Sequence, residues 1–226
     1  MIKDNLNLVR DKIKRAAQKA GRNTEDIVLV CVTKEADINA MREAIDSGIT
    51  DIGENTIQAA AAKYKLLGPK AGIRRHFIGH LQTNKAKNAV RIFDLIHSVD
   101  SLHLAEAIQK EAEKIGKMQS ILLQVNISGE DSKYGLAPKE AEGAVVAISK
   151  MKNLMLLGLM TIAPYSDTPE DSRPHFKELK NMRDKLSSRN CDNVDIKHLS
   201  MGMSGDFEVG VEEGADIVRI GSAIFK

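Results

Sequence analysis

Ile27-Val28-Leu29-Val30-Cys31-Val32-Thr33-Lys34 is the stretch on which the reading of the chain turns. Its first seven residues are apolar or β-branched and do not alternate, which is the pattern of a strand buried on both faces. The eighth is a lysine. At the end of such a strand a lysine either reaches water or is kept at a site for its amine, and position alone leaves both open. Upstream, Leu6, Val9, Ile13, Ala16, Ala17 and Ala20 fall on one helical stripe over residues 4–20, which Gly21 ends.

Downstream the chain alternates between strand and helix. Ile38, Met41 and Ile45 mark a helix, and Asp51-Ile52 a short strand with Gly53-Glu54-Asn55 as its turn. A helix over Thr56–Leu67 ends at Gly68-Pro69, and His76-Phe77-Ile78 forms the third strand. A basic helix over Asn84–Arg91 precedes a strand at Asp94–Val99. The apolar positions of Leu102–Ile115 repeat every 3.6 residues, as a helix requires. Strands over Ser120–Val125, Leu154–Met160, Val194–Leu199 and Ile217–Ile220 are separated by helices at Lys139–Lys150, Arg173–Arg189 and Asp206–Glu213.

Strands alternating with helices predict a parallel sheet, and eight units predict closure into a (β/α)8 TIM barrel with an extra N-terminal helix. An open doubly wound sheet is the alternative. Residues 1–226 read as a single domain, since no linker, repeat or low-complexity tract divides them.

Composition narrows the function classes. Hydrophobic residues make up 42% and charged residues 28%, ordinary values for a soluble globular protein. A net charge of +2, spread over interspersed lysines and glutamates, argues against a nucleic-acid partner. So do the 4% aromatic content and the lack of tryptophan. No run approaches the roughly 20 apolar residues of a membrane span, so no membrane partner is expected. Met1–Arg15 has no apolar core of a signal peptide. Two cysteines far apart, Cys31 and Cys191, fit a reducing compartment, and a cytoplasmic location is expected.

In a barrel the active site lies where strands end at their C-termini. Those positions hold Lys34, Asn55, His80, the Asn126–Ser128 turn, Thr161, Ser200 and Arg219. The loop Ser200-Met201-Gly202-Met203-Ser204-Gly205 and the turn Gly221-Ser222 follow the last two strands, where barrels often bind phosphate. Each has a plainer reading. Ser204 can cap a helix, Asn55 can do the same, and Arg219 can pair with Asp206 or Glu208. Met201 is a packing residue by type. His76 and His80, four apart, lack the further ligands of a metal site, so no metal is expected.

Several strings coincide with a known family. Gly53-Glu54-Asn55, His76-Phe77-Ile78-Gly79-His80-Leu81-Gln82-Thr83-Asn84-Lys85, Ser98-Val99-Asp100-Ser101 and Gln124-Val125-Asn126-Ile127-Ser128 are four of them. Lys133-Tyr134-Gly135-Leu136, Gly158-Leu159-Met160-Thr161, Leu199-Ser200-Met201-Gly202-Met203-Ser204-Gly205-Asp206 and Val218-Arg219-Ile220-Gly221 complete the set. Together they resemble the pyridoxal phosphate homeostasis protein family, which is itself similar to the N-terminal barrel of alanine racemase. The resemblance implies a barrel that binds pyridoxal 5′-phosphate (PLP), with Lys34 as the Schiff-base lysine. It implies that Ser200, Arg219, Gly221 and Ser222 surround the phosphate, and the expected binding set also includes Asn55, His80, Met201 and Ser204. One departure stands out. After the lysine the family usually continues with a small or basic residue and often a proline, whereas this chain reads Glu35-Ala36-Asp37. A carboxylate there is expected to favour the protonated amine.

The implied function is intracellular PLP homeostasis, as a carrier or regulator with PLP-dependent apoenzymes as recipients, in a monomer or weak dimer. A racemase completes its site with a second domain, and the chain ends at Lys226, just after the eighth strand. Only Lys34 is in view as a base, so no catalytic residue is assigned. The alternatives are a weakly active PLP-dependent amino-acid racemase and a barrel enzyme acting on a sugar phosphate.

Overall fold

The computed structural model describes residues 1–68, 72–187 and 193–226. Among these, Val28–Val32 (β1), Asp51–Glu54 (β2), Arg74–Phe77 (β3), Leu95–Val99 (β4), Gln119–Gln124 (β5), Leu154–Met160 (β6), Val194–Ser200 (β7) and Ile217–Ile220 (β8) are parallel strands. Strand β1 pairs with β2 on one side and with β8 on the other, so the sheet is a closed barrel and not the open alternative. The helices are α1 (Ile2–Lys19), α2 (Ile38–Asp46), α3 (Ile57–Leu67), α4 (Ala86–Ile92), α5 (Leu102–Lys114), α6 (Ala141–Ile148), α7 (Arg173–Leu186), α8 (Phe207–Glu212) and α9 (Ser222–Phe225). The extra N-terminal helix is present as α1. No helix among the described residues is long and apolar enough to cross a membrane.

Local chemistry explains the element starts. Asp37 Oδ1 accepts the Ala40 N–H at 2.8 Å before α2, and Thr56 and Ser101 cap α3 and α5 in the same way. Element ends depart from the sequence reading where long-range pairing decides. Strand β1 stops at Val32, so Thr33 and Lys34 lie in the turn beyond it. Gly53 and Glu54 belong to β2, not to its turn, because Gly53 is paired with His76 in β3 and Val32 in β1, and Glu54 with Phe77 in β3. Short 3-10 turns at Thr83–Lys85 and Pro138–Glu140 precede α4 and α6. The sequence reading carried the α7 helix to Arg189, which with Pro69 and Cys191 lies outside the described residues.

Two apolar layers hold the fold. The larger lies between the barrel and its helices. The smaller, Val30, Leu95, Leu122, Met160 and Ile217, takes one residue from each of five strands and fills part of the lumen, as strand alternation requires. Helix α1 buries Leu6, Val9, Ile13, Ala16 and Ala17 against α8, α9 and α2. Polar contacts lock it in place: Asn5 Nδ2 donates to the Ile224 carbonyl at 2.9 Å, and Arg22 donates to the Val211 and Ala215 carbonyls and pairs with Asp216. The helix therefore fastens the end of the chain to its beginning.

Leu6 is fully buried. Leu6→Ala is expected to lower the unfolding free energy by about 2–5 kcal/mol, through lost transfer energy plus a cavity. Urea denaturation measures this as a lower midpoint with an unchanged slope.

Candidate functional site

Polar residues share the lumen with the small apolar cluster and form one continuous chain across it. Asp51, the first residue of β2, lies 2.8 Å from His76 Nε2 on β3. His76 Nδ1 lies 2.8 Å from His97 Nε2 on β4. His97 Nδ1 lies 2.9 Å from Ser200 Oγ at the end of β7. Arg219 on β8 donates to the same Ser200 oxygen at 2.6 Å and to the Thr161 carbonyl, just after β6, at 3.0 Å. All six residues are buried.

Burial sets the charges along this chain. It pushes the Arg219 guanidinium down to about 10, partly offset by the charge of Asp206. It holds His97 well below the ordinary histidine value, helped by the charges of His76, Arg219 and His198. Burial alone would raise the Asp51 carboxyl, but bonds from His76, Arg74 and Thr50 outweigh it and the net shift is downward. Arg219 does not take the plain ion-pair reading: Glu208 is bonded to Lys12, and Asp206 accepts from Ser172 and from the Met203 N–H.

The loops after β7 and β8 meet. Gly202 adopts φ +91°, and a Cβ there would lie 2.9 Å from the Phe207 Cα, so the turn after Ser200 admits only glycine. That turn brings Ser204 Oγ within 3.4 Å of the backbone N–H groups of both Gly221 and Ala223. These amides, with Ser204 and the exposed Ser222 at the start of α9, present donors suited to an anion. Gly221 in turn packs on β1, where a Cβ would lie 3.0 Å from the Val32 carbonyl oxygen. The Gly221 turn thus packs on the last residue of β1, two positions before Lys34. Met201, placed in the binding set by sequence, has a fully buried side chain in the core.

Lys34 itself is about half exposed, with its side chain at 49%. Its backbone is held by a residue that sequence reading missed. Lys63 on α3 donates to the Thr33 and Lys34 carbonyls and pairs with Glu54 at 2.9 Å. Glu54 is fully buried, also accepts from the Thr33 hydroxyl at 2.7 Å, and leaves Oε2 without a partner among the described residues. The acidic residues after Lys34 divide: Asp37 caps α2, while Glu35 lies 3.9 Å from Lys34 Nζ and 3.2 Å from Lys226 Nζ. The Glu35 carboxylate is therefore shared between two amines.

The remaining predicted positions have the following neighbours. Asn55 is exposed, and Thr56 rather than Asn55 caps α3. The Asn55 backbone packs so closely on Gly79 that a Cβ at Gly79 would lie 2.1 Å from its carbonyl oxygen. His80 bonds Asp100 at 3.1 Å and stacks on the Tyr134 ring at 3.7 Å between centroids. His76 and His80 therefore face different partners. Asn126 spends its side chain on its own loop, donating to the Glu130 and Lys133 carbonyls and accepting from Ser128 and Gly129. Thr161 donates to the Val125 carbonyl. Cys31 is buried, and its thiol is pushed up to about 12 by that burial.

Fold and site together define a (β/α)8 barrel with a lysine amine at its mouth and, packed against the end of β1, a turn that carries hydroxyl and amide donors. The alanine racemase N-terminal domain family matches residues 5–226. The pyridoxal phosphate homeostasis protein of Aquifex aeolicus is 41% identical over 222 residues, which cover 98% of this chain and 96% of that protein. A protein of unknown function from Bifidobacterium adolescentis superposes with a TM-score of 0.93 at 37% identity, covering 99% of this chain and 94% of that one. PipY of Synechococcus elongatus, in a structure with PLP bound, superposes with a TM-score of 0.87 at 30% identity over the whole of both chains. The chain belongs to the alanine racemase N-terminal domain family and, within it, to the pyridoxal phosphate homeostasis proteins.

Two outcomes are expected from this geometry. Lys63→Met leaves the buried Glu54 carboxylate uncompensated and lowers the unfolding free energy by about 3–5 kcal/mol, and adding Glu54→Gln restores part of that loss. Stability also depends on pH with a defined sign. An unfolded His97 takes a proton near about 6.5 while the folded residue refuses it, so stability falls as the pH drops below about 6.5. The Asp51 contribution is present above about 3.9 and is lost as the pH falls through its lowered folded value. Urea midpoints across pH measure both stages, and a flat midpoint between about pH 7 and about pH 5 contradicts the first.

Proposed function

We propose that this chain binds PLP and acts in intracellular PLP homeostasis, as a carrier or regulator rather than as an efficient catalyst. The observation that carries the reading is the packing of Gly221 on Val32, which sets the anion cradle against the turn that bears Lys34. The donor set fits the group: amides and hydroxyls suit a phosphate, and a primary amine suits an aldehyde. PipY, a relative over its full length, has been solved with PLP bound, and the homologous proteins carry the homeostasis name.

In this reading Lys34 would hold the cofactor as a Schiff base, its amine supplying the nucleophile for the aldehyde with loss of one water, and hydrolysis by solvent would release it. Ser204, Ser222 and the Gly221 amide hold the phosphate. Ser200, held by Arg219, sits at the root of the same loop, and Met201 backs that loop from the core. Asn55 and His80 border the mouth. Residues 1–226 act as one binding domain, as a monomer or weak dimer in the cytoplasm, and hand PLP to apoenzymes.

Incubation with PLP, borohydride reduction and peptide mapping test the reading. A pyridoxyl group on Lys34 and its loss in Lys34→Ala are expected. A protein that stays colourless and unmodified overturns the proposal and favours a sugar-phosphate ligand. Sustained racemisation of an amino acid by the PLP-loaded protein overturns the carrier role.

A further inference from the structure

The hydrogen-bonded chain through the lumen has ends in two different places. Its Ser200 end sits at the root of the loop that bears Ser204. Its Asp51 end opens on the opposite, N-terminal side of the barrel. There Asp51, Arg74, Thr50, Gly48 and Arg10 line a cleft of about 300 Å³. Between the ends lie two imidazoles in direct contact, with ring centroids 5.1 Å apart.

The donor directions follow from one end. Asp51 is ionised and accepts, so His76 Nε2 carries a hydrogen. With His76 neutral, its Nδ1 is an acceptor, so His97 Nε2 donates to it. His97 Nδ1 then accepts, and the Ser200 hydroxyl must donate to it. In this first state the Ser200 hydrogen is committed inward. A second state uses the same contacts. The proton on His97 Nε2 passes to His76 Nδ1, and the Ser200 proton passes to His97 Nδ1. Ser200 then takes one proton from the ligand side. One proton has entered from the mouth, His76 is an imidazolium against Asp51, and His97 has exchanged one N–H for the other without gaining charge. Ser200 now accepts from both His97 and Arg219, which frees its own hydrogen for a ligand acceptor.

We infer that His76 and His97 are a proton relay that sets whether Ser200 donates a hydrogen bond to the bound phosphate-bearing ligand. Both are positioning residues, since they act on the ligand through Ser200. The inference deepens the PLP-binding reading and rests on it for the identity of the ligand. Of the two imidazoles, only His76 touches a carboxylate. His76 faces the Asp51 carboxylate from β2, and Arg74 shares that carboxylate with it. His97 is enclosed by His76 from β3, His198 and Ser200 from β7, and Arg219 from β8, and burial disfavours its charged form. A neutral imidazole that swaps tautomers is the one carrier such a position tolerates.

The relay makes ligand binding take up a proton on His76. In wild type, PLP affinity rises more steeply with falling pH than in His97→Gln, whose chain is cut, and the difference is at most about tenfold per pH unit. Protonation of PLP and of Lys34 is common to both proteins and cancels in the comparison. Nitrogen-15 histidine spectra of the ligand-free wild type read the relay directly and need neither ligand nor variant. His97 is expected as the Nε2–H tautomer at high pH, changing to Nδ1–H as His76 becomes an imidazolium. A His97 that keeps its Nε2–H tautomer while His76 gains a proton overturns the relay, as do parallel pH curves for wild type and His97→Gln. If neither protein binds PLP, the functional reading fails, and the tautomer spectra still decide the relay.

Discussion

Arg219 carries a guanidinium into a closed barrel, and the mouth of the barrel is arranged around that charge. The side chain is 4% exposed and cannot shed its proton at neutral pH. Its hydrogen bonds go to dipoles, the Ser200 hydroxyl and the Thr161 carbonyl, while the charge of Asp206 acts from a distance. Those two bonds tie the ends of β6, β7 and β8 to one another. With the three ends fixed, Gly202 can turn the chain so that Ser204 meets the Gly221 and Ala223 amides. The β8 turn then lies on Val32 and so beside the Lys34 turn. A buried charge without a carboxylate in contact is expensive, and it is tolerated here because two good acceptors meet it.

The fold was legible because strands such as β1 and β6 are uniformly apolar runs, the property that burial in a doubly covered sheet requires, and because strand and helix patterns alternate along the chain. The same logic hid much of the lumen. Asp51 reads as the polar start of a short strand, and His97, with Ser98, as a polar interruption of an apolar one. Their meaning comes from partners that closure alone supplies. Asp51 reaches His76, 25 positions away, and His97 reaches Ser200, 103 positions away. No local pattern encodes the register of a closed sheet. Glu54 was hidden for a similar reason: a glutamate beside a glycine reads as a turn, and only Lys63 and Thr33 make its burial tolerable.

Sequence placed Lys34, Ser200, Arg219 and the Gly221 turn at or just beyond strand ends, and the structure finds them there, because the strands themselves were readable and barrel architecture gathers their ends on one face. Asn126 shows the limit of that rule. Its side chain had four partners within its own loop, and local bonds of this kind form before any distant ligand competes for them. His80 was settled by Asp100 and Tyr134, which come from two different loops.

The two halves of Lys34 are treated differently, and that difference bears on carrier against catalyst. Its carbonyl and that of Thr33 are clamped by Lys63, whose other partner is the buried Glu54. Its amine is left half exposed, beside the carboxylate of Glu35. A pinned backbone fixes where the amine is presented, which helps capture. An amine open to water also leaves any bond it makes open to hydrolysis, which helps release. Catalysis on a held cofactor calls for the opposite arrangement, a site that excludes water so that electrostatic interactions strengthen and reactive species survive. A rigid root with a wet tip is the arrangement that reversible holding requires.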